Sequence, residues 1–168
     1  MHHCRIEAGA LVAWVSPLGG GLVDLSRLTG ATPETLLERS PPEIDDPAWL
    51  AGRLRLDGIA GADDAVWRIL DRTPLSARLR LDTESGPITI RYELTPDALL
   101  VELDVMFGEP QPLAGAYLLR RPGPGLEISP VRGFGSPGMA DGVTTLPINE
   151  LASTAHAFAF TLRPGADA

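Results

Sequence analysis

Acid and base chemistry in this sequence depends on carboxylates, because the chain has only 3 histidines and no lysine. Glu43, Asp45 and Asp46 form one acidic run in a proline-rich stretch, and Asp63 and Asp64 form another. Neighbouring like charges tune the pKa of a carboxyl group for catalysis only where the groups are partly buried. Both runs stand beside glycine or proline, so the sequence predicts solvated turns and identifies no catalytic residue.

Metal binding would draw on the histidines and on the single cysteine. His2, His3 and Cys4 are consecutive at the N-terminus, where an ordered ligand set of fixed geometry is not expected. His156 begins an apolar strand in phase with Phe158, a position typical of a structural histidine. The absence of lysine excludes Schiff-base chemistry and a P-loop lysine. The sequence therefore predicts neither a functional metal site nor a cofactor.

Two glycine-rich stretches look at first like phosphate-binding loops. Gly19–Gly21 separates two apolar runs, but Leu22–Leu25 follows it with no helix start, so its amides could not join a helix dipole around an anion. The stretch Gly133–Gly138 reads GFGSPG, yet Pro137 lies inside it and no helix follows. Both stretches are predicted to be turns, and the first is expected to form a hairpin or a bulge.

Length, charge and cysteine content narrow the class of protein. With 168 residues, 44% of them hydrophobic, the chain suits a single globular domain over residues 1–168. The formal charge of −8 predicts repulsion of phosphate backbones and anionic lipid, so nucleic acid and membranes are not expected as partners. One cysteine and a short N-terminal apolar run favour a cytoplasmic protein.

The elements expected to position functional side chains are β-strands. Apolar and polar residues alternate over residues 75–82, 88–95 and 99–107, which predicts half-buried strands joined by short turns. One short helix is predicted, with Thr32 as its N-cap, Pro33 at its first position and ETLLER continuing it to residue 39. Further strands are expected at residues 5–15, 22–25, 53–56, 66–71, 116–119, 126–129, 143–146 and 156–162.

The spacing of these strands indicates the fold class. With 18 glycines and 16 prolines between short strands, the pattern favours an all-β fold over one with alternating strands and helices. We expect an antiparallel β-sandwich, with a small antiparallel β-barrel as the alternative.

The order of several segments resembles that of galactose mutarotase-like proteins, the aldose 1-epimerase family. An opening VSPLGGGLVDL is followed by LAGRLRLDG, by AVWRIL, by the strand pair ITIRYELTPDALLVELDV and by a closing LPINELASTAHAFAFTL. The resemblance implies an antiparallel β-sandwich with a concave sugar site. In that site a carboxylate acts as the base at the anomeric hydroxyl, and a histidine protonates the ring oxygen.

Residue by residue, the resemblance carries over in part. Arg53 in AGR matches the family's sugar-contacting arginine, and Trp67 in AVWRIL matches a tryptophan near the site. Ala60 and Leu118 stand where the two histidines are expected, and Ser136 stands where the catalytic glutamate commonly precedes a proline. The resemblance therefore implies a sugar site without its usual acid and base, in a chain shorter than a usual member.

Three functions are compatible with these observations. The leading hypothesis is a protein that binds a sugar or another small ring-containing metabolite, or an isomerase with altered catalytic residues. Arg53 and Trp67 would contact the ligand, and Arg91 or Tyr92 would contribute, depending on which sheet face is concave. The second hypothesis is a cyclase or isomerase that holds an apolar substrate in a β-barrel pocket. The third is a structural domain whose edge strand pairs with a second copy to form a homodimer.

Overall fold

Antiparallel strands make up the whole regular structure of the computed structural model, which describes residues 3–38, 50–120, 122–123 and 125–165. These ranges contain no helix, and so none that is long and apolar enough to cross a membrane. The strands are, in chain order, β1 (Cys4–Ala8), β2 (Leu11–Val15), β3 (Leu22–Thr29), β4 (Thr32–Thr35), β5 (Gly52–Leu56), β6 (Arg68–Arg72), β7 (Ser76–Thr83), β8 (Gly86–Leu94), β9 (Leu99–Arg120), β10 (Glu127–Arg132), β11 (Gly138–Ala140) and β12 (Val143–Arg163).

Two long strands, β9 and β12, take part in both layers of the fold. The sheet that we call sheet I runs β1-β2-β3-β5 and continues through residues 115–119 of β9 and residues 143–150 of β12. Sheet II runs β6-β7-β8 and continues through residues 99–105 of β9 and the last part of β12, with β10 beyond it. Register shifts between Glu150 and Ala155 mark where β12 passes from one sheet to the other.

The core lies between the two sheets. On β8 the buried side chains alternate with more exposed ones, and Ile88 and Ile90 pair with the buried Val105 and Leu103 of β9. The Tyr117 ring of sheet I contacts the Phe160 ring of sheet II, with 4.9 Å between the ring centroids. Each fully buried side chain of this size contributes about 1.5–3 kcal/mol through removal from water. The predicted antiparallel β-sandwich is therefore confirmed.

The two ends of the strand order approach each other. The backbone N–H of Glu7 on β1 donates to the carbonyl of Pro74, in the turn between β6 and β7, at 2.9 Å. The sandwich is thus nearly closed, which brings it close to the barrel that was the alternative prediction.

The predicted helix after Thr32 is wrong. Thr32–Thr35 forms β4, which pairs with Ser26–Thr29 of β3 in an antiparallel hairpin. The cap and proline signals depend only on neighbouring residues, whereas the structure depends on β3, whose backbone forms hydrogen bonds with residues 32–35. Pro33 fits there because an edge strand tolerates a residue without an N–H. Arg39, the last residue of the predicted helix, lies outside the described residues.

Candidate functional site

The Gly19–Gly21 turn joins β2 to β3, as the sequence predicts. Gly19 and Gly20 have φ angles of 75° and 62°, which side chains other than hydrogen rarely allow. A Cβ on Gly20 would lie 2.7 Å from the Trp67 ring. The N–H of Ser16 donates to the Gly21 carbonyl at 2.8 Å and closes the turn. The glycines therefore serve backbone geometry and close packing.

Trp67 and Tyr92, two of the predicted site residues, support this turn from inside the sandwich. Trp67 is 1% exposed, and its indole N–H donates to the Ala62 carbonyl at 3.2 Å. The Tyr92 hydroxyl donates to the Gly20 carbonyl at 2.7 Å, which leaves its oxygen to accept from the Tyr117 hydroxyl at 2.8 Å. In this structure neither Trp67 nor Tyr92 has ring surface open to a ligand.

Burial raises the pKa of the Tyr92 and Tyr117 hydroxyls above the ordinary value of 10.0. The cause is that an interior without water disfavours the charged phenolate. Both groups therefore stay protonated near neutral pH and act as hydrogen-bond donors between the sheets.

Arg53 lies on the outer face of sheet I, because its neighbours Gly52 and Leu54 face the core. It is half-buried and stands directly across from Leu118 of β9. No ion pair or hydrogen bond joins Arg53 to any residue within the described ranges. Two residues along the same strand, Arg55 is paired with Asp57 at 3.9 Å. Arg53 thus combines partial burial with unused hydrogen-bond donors.

Asp24 is a buried carboxylate that the sequence reasoning missed. It is 6% exposed and accepts hydrogen bonds from the Ser26 hydroxyl at 3.0 and 3.1 Å. A bulge at Val23 turns Asp24 to the outer face, opposite Trp14. A carboxylate can accept about four hydrogen bonds, so Asp24 retains acceptor capacity. An acidic residue inside the apolar run LVDL was the signal that could have identified it.

Arg53 and Asp24 share one face of neighbouring strands. Leu22 of β3 pairs with Gly52 of β5, which fixes the register. With a rise of about 3.3 Å per residue and strands about 4.8 Å apart, the two Cα atoms are roughly 10 Å apart. Leu118 is 9% exposed although it faces outwards, so this area is sheltered. We call the outer-face residues Asp24, Ser26, Arg53, Leu118 and Thr145 the Arg53 surface.

Arg91 lies elsewhere, on the outer face of sheet II, because it alternates with the inward-facing Tyr92. Its guanidinium donates to Glu102 at 2.9 Å and also to Glu93. Arg132 reaches the same Glu102 at 3.6 Å. A shallow depression of about 260 Å³ is lined by Arg78, Thr89, Arg91, Glu102 and Asp104. The structure therefore does not bring Arg91 together with Arg53.

The positions that the family resemblance assigns to catalytic residues lie apart from one another. Leu118 stands beside Arg53, whereas Ala60 and Ser136 are exposed in loops. His156 is 5% exposed; its Nε2–H donates to the Gln111 carbonyl at 2.9 Å, and its ring meets Phe107 edge-on. His156 is therefore a structural histidine, as predicted.

The remaining candidates for metal and acid chemistry contribute little to this surface. Within the described ranges, no three His, Cys, Asp or Glu side chains stand close enough together to hold a metal ion. Cys4 is buried, and desolvation raises the pKa of its thiol against the opposing charge of Arg72. Asp63 and Asp64 lie in a turn, as predicted. His2, Glu43, Asp45 and Asp46 lie outside the described residues.

Solved structures share this fold. A protein from Escherichia coli K12, provisionally assigned as an aldose 1-epimerase, superposes with a TM-score of 0.68 over 96% of this chain and 98% of its own, at 12% identity. A galactose mutarotase related enzyme from Lactobacillus acidophilus gives 0.54 over 93% and 65%, at 15% identity. The 4-alpha-glucanotransferase from Thermococcus litoralis gives 0.52 over 96% and 37%, at 11% identity. This chain therefore spans about two thirds and about a third of those last two proteins.

Sequence comparison adds nothing to the structural match, since no family profile and no curated protein matches the chain. The segment order nevertheless predicted the same group of proteins that the superpositions identify. The chain has the fold of aldose 1-epimerases and galactose mutarotase-related proteins.

Proposed function

We propose that the Arg53 surface binds a sugar or another small, polar, ring-containing metabolite. The observation that carries this proposal is the state of Arg53, which is half-buried yet bonded to no residue of the described ranges. A guanidinium presents five N–H donors in a fixed fork, and a desolvated cation without partners is costly. A ligand oxygen that accepts from this fork would supply the missing hydrogen bonds.

The neighbours of Arg53 suit a polar ring. Asp24 offers carboxylate oxygens to ligand hydroxyls, and Leu118 offers an apolar patch for the carbon atoms of a ring. Thr145 stands across from Leu118 on the next strand and adds a hydroxyl. Trp67 and Tyr92 would act indirectly, because they hold the glycine turn that lies between β2 and β3.

Calorimetric titration with a panel of monosaccharides tests this proposal. Arg53→Ala is expected to weaken binding of the best ligand about tenfold to a hundredfold, since a hydrogen bond to a charged group contributes about 1.5–3 kcal/mol. Arg55→Ala is the matched control, because it removes the same charge from the same strand and face. An unchanged affinity in Arg53→Ala would contradict the proposed site.

A second candidate function is more specific: an isomerase in which Asp24 acts as a base. The burial of Asp24 and its remaining hydrogen-bond acceptor capacity favour this role. Asp24 would take the proton of the anomeric hydroxyl as the ring C–O bond breaks. Solvent water would protonate the ring oxygen. Polarimetry of freshly dissolved sugar tests it: Asp24→Asn should abolish any catalysed mutarotation while ligand affinity is largely kept.

The other two sequence hypotheses gain no support from a specific observation. Between the sheets, Tyr92, Tyr117, Phe158 and Phe160 are 0% exposed and belong to one contact cluster, so aromatic side chains occupy the space where an apolar substrate would lie. Pairing of an edge strand with a second copy stays a prediction.

A further inference from the structure

We infer that the ligand of the Arg53 surface carries an acidic group, so that the site takes a sugar acid or a sugar phosphate in preference to a neutral sugar. This inference rests on the proposed function of the same surface. It starts from the charges on the outer face of sheet I, where a cation stands without a counter-charge.

Three arginines share this part of the face. Arg55 lies two residues from Arg53 on β5, and Arg120 lies two residues from Leu118 on β9. Arg55 is paired with Asp57, and Arg120 is paired with Glu38 at 3.3 Å. Arg53 lies between these two ion pairs with no carboxylate within 4.0 Å in the described ranges. Of these three arginines, Arg53 is therefore the one whose charge no described carboxylate neutralises.

Exposure distinguishes Arg53 from the other arginines that lack an ion pair in the described part of the chain. Arg68, Arg72 and Arg163 are exposed, so water solvates their guanidinium groups. Arg53 is half-buried, so water compensates its charge less well. Of these arginines, Arg53 is therefore the one that would gain most from a charge-assisted hydrogen bond to a ligand anion.

Asp24 does not neutralise Arg53, and its carboxylate would fix the orientation of a bound acidic sugar. The two side chains form no ion pair, in keeping with Cα atoms roughly 10 Å apart. The Asp24 carboxylate repels the acidic end of a ligand and accepts hydrogen bonds from hydroxyl groups. An acidic sugar therefore fits in one orientation, with its anion at Arg53 and its hydroxyls at Asp24.

The test is calorimetric titration of the full chain at low ionic strength with three matched ligands: D-galactose, D-galacturonate and D-galactose 6-phosphate, repeated with the gluco series. We expect one of the two acids to bind at least about tenfold tighter than the neutral sugar, and the two acid arms separate a carboxylate from a phosphate. Arg53→Gln should remove that preference, Arg53→Lys should keep part of it, and the control Arg55→Gln should leave it intact. Added salt should weaken binding of the acid alone.

The outcomes separate this inference from the proposed function. Equal affinity for neutral and acidic sugars, lost in Arg53→Gln, would overturn the acidic-ligand inference and leave the sugar site in place. Failure of every sugar to bind would overturn both. Circular dichroism melting of each variant shows whether a loss of binding comes from unfolding.

Discussion

The outer face of each sheet carries a partly buried arginine, and the two arginines, Arg91 and Arg53, differ in their pairing. On sheet II, Arg91 is bonded to Glu93 and Glu102, and Arg132 reaches Glu102 as well. On sheet I, Arg53 has no partner in the described ranges, and Asp24 has only the Ser26 hydroxyl. Charges that satisfy each other need no ligand, whereas charges held apart on one face leave room for one.

This difference also shows why charge alone is a weak guide to a site. Arg91 sits in a depression, but its donors are used within the protein. Exposed ion pairs of this kind contribute at most about 1 kcal/mol each and are common on protein surfaces. Among the described arginines that form no ion pair, Arg53 is the one that is half-buried, and its hydrogen-bond donors are unused. Pairing and burial together are the better criterion.

The largest expected effect concerns what lies beneath the Arg53 surface. Trp67→Ala should lower the free energy of unfolding by about 3–5 kcal/mol, because it removes a fully buried indole and leaves the glycine turn without support. Urea denaturation measures this loss. Trp14→Ala, on the half-buried outer face beside Arg5, should cost far less. Equal losses in the two variants would contradict the assignment of Trp67 to the core.

The turn itself gives the next largest effect. Gly20→Ala should lower the free energy of unfolding by about 2–4 kcal/mol, because the new Cβ meets the Trp67 ring in a left-handed backbone conformation. Gly30→Ala is the matched control, since Gly30 has a φ of 75° but nothing within 4 Å of the added atom. Its cost should stay near 1 kcal/mol. Thermal denaturation of the two variants compares packing and backbone strain directly.

Alkaline pH should weaken the contact between the sheets. The folded-state pKa values of Tyr92 and Tyr117 are raised above the ordinary value of 10.0, so the unfolded chain releases these protons first. Stability from this pair is fully present below about pH 10 and falls as the pH rises beyond it. Tyr92→Phe removes one of the two titrating hydroxyls, so the free energy of unfolding should fall less steeply with pH. Urea denaturation between pH 9 and 11 measures this slope. An unchanged slope would show that the pair does not titrate in this way.

The smallest expected effect separates paired charges from unpaired ones. Glu102→Gln should cost up to about 1 kcal/mol of stability, because it weakens contacts to two arginines on a partly exposed face. Asp24→Asn should leave stability unchanged or raise it slightly, because a buried charge without a cation is replaced by a neutral amide. Chemical denaturation at neutral pH measures both. A clear loss in Asp24→Asn would mark Asp24 as a stabilising residue of the fold.

Much of the fold could be predicted because each strand of a two-layer sandwich buries every second side chain, so apolar and polar residues alternate along the sequence. Ile88, Ile90 and Tyr92 face inwards as their spacing indicates, and so do Val101 and Leu103 on the next strand. The great length of β9 and β12 could not be predicted, because the alternation fades where each strand bends from one sheet into the other. The helix prediction failed because the hairpin partner of Thr32–Thr35 precedes it in β3, and local signals do not include such a partner.

The candidate site was predictable only in part. The family resemblance selected Arg53, which does lie on a sheltered outer face, and Trp67, which packs against the glycine turn. Tyr92, which was expected to contribute only if its sheet face were concave, is buried and bonded to the same turn. Asp24 could not be assigned to this face from alternation, because the bulge at Val23 changes the phase of the strand. Whether a charge is paired depends on residues far away along the chain, and a single sequence does not show that.

The most direct test of the difference between the two faces is amide chemical-shift mapping by NMR during titration with the tightest-binding sugar. We predict that the amides around Asp24, Arg53 and Leu118 shift with one common affinity, and that those around Arg91 and Glu102 do not. Shifts confined to the sheet II face, or none on either face at saturating sugar, would contradict the claim that the unpaired charges of sheet I form the binding site.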